Sequence, residues 1–106
     1  MAFEAHASEA FGDDLFDILN YFIVQLGAPQ AAANFIADVD AAKEILEEAP
    51  YINGLSLRYG LGEAGVREHL VHNYSIVYRV DGARVVLLRL LHQSQLADRL
   101  VIDWEN

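Results

Sequence analysis

The sequence predicts an α+β fold in which a hairpin of two helices packs on one face of an antiparallel sheet, in the order β-α-α-β-β-β-β. Two stripes of apolar residues at helical spacing fill the first half of the chain, and alternating segments separated by tight turns fill the second. With 106 residues, 54% of them hydrophobic, the chain has material for one core, so residues 1–106 are expected to form a single domain.

The first half begins with a short alternating segment over residues 3–7, which predicts a strand. Ser8 is suited to cap the first helix, because its hydroxyl can accept a bond from a free amide of the first turn. Gly27 is expected to end that helix in the left-handed conformation. The apolar face of the helix is formed by Phe11, Leu15, Ile18, Leu19, Phe22, Ile23 and Leu26.

The second helix is predicted between Pro29, whose fixed φ suits a first helical turn, and Pro50, which cannot continue a helix. Its apolar stripe comprises Ala32, Phe35, Ile36, Val39, Ala42, Leu46 and Ala49. The link between the two helices is short, which favours an antiparallel pair.

The second half predicts four strands, over residues 55–59, 66–71, 74–80 and 84–91. The glycines at positions 60, 62 and 65 are not followed by the helical pattern that a phosphate-binding loop requires, so they favour a hairpin connection. His72-Asn73 and Asp81-Gly82 are the predicted two-residue turns between the later strands.

Counting outward from these turns places Arg67 opposite Tyr78 and Arg89 opposite Tyr74. One interpretation is functional, with the guanidinium holding a phosphate or carboxylate while the phenol orients a base. The other is structural, with the aromatic ring covering the arginine stem. Both remain open on the sequence alone.

His92 ends the last predicted strand beside polar residues, where a histidine either transfers protons or simply terminates the strand. His69 and His72 are three residues apart, so they would point to opposite faces of a strand and cannot share a metal. The chain has no cysteine. We therefore expect neither a metal site nor a cofactor.

The net charge of −9 is concentrated in residues 1–49, which hold ten acidic side chains and one basic one, Lys43. Such a surface repels phosphate at long range and counts against general nucleic-acid binding. The N-terminus has no signal-peptide pattern, and no apolar run would span a bilayer. A cytoplasmic protein without a membrane partner is expected.

The segment from Arg67 to Val80 reads R-E-x-x-V-x-x-Y-x-I-x-Y-x-V, and the last strand ends in L-R-x-x-H at His92. In this pattern the chain resembles the RelE/ParE superfamily of toxins over roughly residues 3–95, nearer its ParE branch. The resemblance implies the toxin of a type II toxin–antitoxin system, of the kind linked to plasmid stabilisation, neutralised by a cognate antitoxin.

The ParE branch implies inhibition of DNA gyrase by binding. The alternatives are a RelE- or YafQ-like endoribonuclease that cuts mRNA on the ribosome without a metal, and a non-toxic interaction protein on the same fold. The nuclease branch implies that Arg67 contacts phosphate and His92 is the acid or base, with Arg79, Arg89 and Tyr78 binding substrate. A homo-oligomer is a further expectation left open.

Overall fold

A computed structural model describes residues 3–57 and 61–95 of the chain. Its elements are β1 (Glu4–Ala7), α1 (Glu9–Asn20), a π-helical turn (Tyr21–Gln25), α2 (Pro29–Glu48), β2 (Val66–Val71), β3 (Tyr74–Asp81), β4 (Arg84–His92) and a short 3-10 turn (Gln93–Gln95). The two helices pack against the sheet, which confirms the predicted α+β class. Neither helix is long and apolar enough to cross a membrane within the described residues.

The described strands form one sheet in the order β1-β4-β3-β2. β2, β3 and β4 are antiparallel neighbours as predicted, whereas β1 runs parallel to β4, so the sheet is mixed. Ser8 fixes this arrangement where β1 leads into α1. Its amide donates to the Leu87 carbonyl at 2.9 Å and its hydroxyl donates to the Leu88 carbonyl at 3.0 Å.

The helix boundaries follow the predicted signals. The Phe11 amide donates to the Ser8 hydroxyl at 3.1 Å, Gly27 has a φ of +58°, and α2 begins at Pro29. The π-helical turn after α1 was not predicted. There the Leu26 amide donates to the Tyr21 carbonyl at 3.1 Å, five residues back, so the last turn of the first helix is wider than an α-helical turn.

The strand predicted over residues 55–59 is not formed at 55–57, and residues 58 and 59 lie outside the described ranges. Leu55 makes one isolated bridge to Arg67, and the Ser56 amide donates to the Val66 carbonyl at 2.7 Å. The backbone at Gly62 lies directly against that of Ser56: a Cβ at position 62 would lie 2.4 Å from the Ser56 carbonyl oxygen, so no larger residue fits there. The two sides of the loop therefore close on each other as a hairpin would.

Apolar side chains are buried on both faces of the sheet. The helix-facing core contains Phe11, Phe35, Val39, Ala42, Leu46, Val71, Ile76, Tyr78, Val85, Leu87 and Leu90. A smaller cluster on the other face contains Val66, Val77, Val86, Leu88 and Leu91, with Leu61 packed against it.

Candidate functional site

The register of β2 and β3 places Arg67 opposite Tyr78, as predicted. The Tyr78 side chain is fully buried, and its hydroxyl donates to the Pro50 carbonyl at 2.7 Å and accepts from Asn53 Nδ2 at 3.1 Å. Arg67 Nη1 donates to the Asn53 carbonyl, and its guanidinium lies 4.9 Å from the centre of the Tyr51 ring. Both side chains thus fasten the turn that follows α2 to the sheet.

A neighbouring histidine extends this network. His69 Nδ1 lies 2.9 Å from Asn53 Nδ2 and accepts its hydrogen, which leaves the proton of the neutral ring on Nε2. Burial lowers the pKa of His69 below its ordinary value, and burial raises the pKa of Tyr78 above its own. Both rings are therefore uncharged at neutral pH, which suits a structural network.

The predicted pairing of Arg89 with Tyr74 is wrong. The β3–β4 loop is Gly82-Ala83, one residue later than predicted, because Gly82 with its φ of +61° takes the first loop position of a type II′ turn. This displacement moves each cross-strand partner by two residues. A bulge at Leu88 then moves the end of β4 by one more.

Arg89 is instead bound to α1. Its Nε and Nη2 donate to the Asp14 carboxylate at 2.7 and 2.9 Å, and the Leu90 amide donates to the same carboxylate at 2.9 Å. The two charged side chains are only 16% and 12% exposed. The hydrogen bonds to Asp14 raise the pKa of Arg89 above its ordinary value. Asp14 was not predicted as a site residue, because its only signal in the sequence is its place early in a helix.

Arg79 lies on the other face of the sheet, opposite Val66 and Val86. Its Nη2 is 4.0 Å from the Asp81 carboxylate. The four arginine and tyrosine candidates are therefore divided between the two faces of the sheet, and no common groove holds them.

His92 pairs with Tyr74, and the two rings meet edge to face at 5.2 Å. His92 Nδ1 accepts from the Ser94 amide at 3.1 Å and lies 2.8 Å from the Ser94 hydroxyl. Arg67 lies on β2, two strands from His92 on β4. Its partner on the strand between them is Tyr78, four residues from the partner of His92. By standard strand dimensions the Cα atoms of Arg67 and His92 are therefore about 16 Å apart. The structure does not bring the two predicted catalytic residues together.

A cleft of about 550 Å³ opens where α1 passes the end of β4. It is lined by Asp14, Asp17, Ile18 and Tyr21 on the helical side, and by Tyr74, Arg89, Leu90, Leu91, His92, Ser94 and Gln95 on the sheet side. Asp17 and Tyr21 were missed by the sequence analysis, although their spacing from Asp14 by three and seven residues puts all three on one side of the helix. No group of three or more potential metal ligands occurs among the described residues.

The model of the family described as "ParE toxin of type II toxin-antitoxin system, parDE" matches residues 7–97. The chain belongs to this family. No curated protein sequence is similar enough to count as a match.

Two solved structures resemble this ParE-family chain. One is the chromosomal ParDE toxin–antitoxin system from P. aeruginosa, with a TM-score of 0.65 and 20% identity, covering 86% of this chain and 96% of that one. The other is the toxin–antitoxin complex RelBE2 from Mycobacterium tuberculosis, with a TM-score of 0.61 and 26% identity, covering 87% and 99%. The family match and these two structures support the toxin of a type II toxin–antitoxin system.

The ParE-family chain also carries a surface that its own core does not use. Phe16, Ile23, Val24 and Leu26, here called the tip patch, lie on α1 and the turn after it, and each is at least half exposed. Acidic residues Asp13 and Asp17 lie on the same helix. An exposed apolar surface with acidic neighbours suits a protein partner that is apolar and basic.

Proposed function

We propose that this ParE-family toxin acts by binding DNA gyrase, and that it cleaves no RNA itself. Metal-independent RNA cleavage needs an arginine and a proton-transferring group around one phosphate, with each within hydrogen-bond reach of it. The separation of Arg67 from His92 supports the binding mode, because Arg67 is bound to the Asn53 carbonyl and His92 to Ser94, so the two side chains would have to leave these partners to share one phosphate.

The bonds that the candidate arginines already make support the same proposal. Arg67 is bound to the Asn53 carbonyl, and Arg89 is bound to Asp14. The net charge of −9 also opposes the attraction of RNA, whose phosphates are negatively charged. Gyrase inhibition by binding needs a complementary protein surface and makes no demand for proton transfer.

The decisive experiment compares His92→Gln with the parent in induced cells and with purified components. His92→Gln should leave growth arrest and inhibition of gyrase supercoiling within about twofold of the parent, whereas loss of a catalytic acid or base would lower activity by about 10²–10⁴-fold. Cellular mRNA should remain intact in both strains. Parent-dependent mRNA cleavage that His92→Gln abolishes would overturn the proposal in favour of the nuclease. Intact growth, mRNA and supercoiling on expression of folded protein would favour the non-toxic relative.

We further propose that the cognate antitoxin lays an amphipathic helix with basic flanks on the tip patch. An apolar helical face docks into exposed apolar surface by burial, and basic flanks would match the acidic first half of the chain.

Val24 and Leu70 allow a matched test, because each is 63% exposed but Leu70 lies on β2, away from the patch. Val24→Asp should weaken binding of the antitoxin encoded beside the toxin by about tenfold or more, since it buries an unpaired charge. Leu70→Asp should leave that affinity within about twofold. Equal effects of the two substitutions would contradict this docking site.

A further inference from the structure

We propose that the cleft between α1 and the end of β4 receives one arginine side chain of the antitoxin, with Asp17 as its ion-pair partner and Tyr21 and Tyr74 as its aromatic walls. The identity of the partner rests on the proposed function, but the chemistry of the cleft does not.

The charges that line the cleft leave one carboxylate to be matched. Asp14 is neutralised by Arg89 and also accepts from the Leu90 amide. Asp17 lines the cleft almost one turn further along α1, and its carboxylate is bonded to no other residue in the described part of the chain. The carboxylates and the guanidinium of the lining therefore sum to a charge of −1, which one cation would balance.

The aromatic walls favour a guanidinium over an ammonium group. The Tyr74 ring is held edge to face by Phe35 at 5.0 Å and by His92 at 5.2 Å, so its position is fixed before any ligand arrives. Burial, and then the nearby Tyr21, raise the pKa of Tyr74, so its phenol stays neutral and can accept a hydrogen bond. A planar guanidinium can stack on such rings while it donates to a carboxylate and to phenol oxygens.

The cleft is also reached from the proposed docking surface. Tyr21 lines the cleft, is about half exposed, and is the first residue of the π-helical turn that carries Ile23 and Val24. A helix that lies on the tip patch thus has the cleft beside it. An arginine at its edge could enter without a change in the backbone of the toxin.

The test is a ¹H–¹⁵N NMR titration of the full chain with N-acetyl-arginine amide, and with N-acetyl-citrulline amide as its uncharged isostere, at constant ionic strength. We expect saturable shifts confined to Asp17, Tyr21, Tyr74 and His92 with the arginine compound, and affinity at least about fivefold weaker for citrulline. Asp17→Asn should weaken arginine binding by about fivefold, whereas Asp13→Asn, an exposed acid on the same helix outside the cleft, should not.

Shifts that rise without saturation over the whole helical hairpin would overturn the proposal, as would equal affinity for citrulline or equal losses in the two variants. Tighter binding of N-acetyl-lysine amide would overturn the choice of a guanidinium. The titration contains neither gyrase nor antitoxin, so failure of the proposed function and failure of this inference are separately visible.

Discussion

The Asp14–Arg89 bond should be a large single contribution to stability, because it joins the first helix to the last described strand. Asp14→Ala removes three hydrogen bonds, of 2.7, 2.9 and 2.9 Å. It leaves a guanidinium that is 16% exposed without its carboxylate, and the Leu90 amide without its acceptor. Removing one partner of a buried pair costs about 3–5 kcal/mol. Partial exposure of both groups points to the lower end, about 3 kcal/mol.

Urea unfolding followed by circular dichroism measures this loss, with Asp13→Ala, an exposed acid on the same turn of α1, as the control. The control should change the free energy of unfolding by less than about 0.5 kcal/mol. A double-mutant cycle with Arg89→Ala should give a coupling energy of about 1–3 kcal/mol. Additive effects, or a loss for Asp14→Ala no larger than that of the control, would refute the reasoning and return Arg89 to the group of residues available for chemistry.

Two further predictions concern the network below α2. Tyr78→Phe should lower the free energy of unfolding by about 1–3 kcal/mol, because the buried Pro50 carbonyl loses its donor. The control is Tyr51→Phe, which removes an exposed phenol hydroxyl in the same cluster and should leave the free energy of unfolding nearly unchanged. Equal effects of the two substitutions in urea unfolding would argue against the Tyr78–Pro50 hydrogen bond. The folded-state pKa of His69 lies below the ordinary value of 6.5, so the unfolded chain takes up the His69 proton at a higher pH than the folded chain does. The folded state therefore has its full stability above about pH 6.5 and loses part of it as the pH falls toward the folded-state pKa. The urea midpoint should therefore drop between pH 7.5 and 5.5 in the parent and less in His69→Gln, and parallel curves would contradict the assignment.

Features set by local chemistry could be predicted from the sequence. The cap at Ser8, the helix end at Gly27 and the start of α2 at Pro29 each depend on one residue and its neighbours in the chain. The Arg67–Tyr78 pair could also be predicted, because it requires only a count from the His72-Asn73 loop.

Features that depend on contacts across the fold could not be predicted. Arg89 and its partner Asp14 are 75 residues apart, and neither residue type implies the other. The bulge at Leu88 has no glycine or proline to announce it, yet it places His92, and not Leu91, opposite Tyr74. The parallel placement of β1 is likewise fixed by bonds from Ser8 to the distant β4.

That pairing of β1 with β4 sets the order in which the protein can be completed. The edge strand β1 is the first of the described strands to be synthesised, but its hydrogen-bonding partner β4 is the last of them. At about 5–20 residues per second, the helical hairpin waits several seconds before β4, which supplies Val85, Leu87 and Leu90 to the core beneath it, is made. During this interval of translation another apolar helix can bind the nascent chain. An antitoxin already present could therefore bind the helical hairpin before the toxin's own sheet is complete.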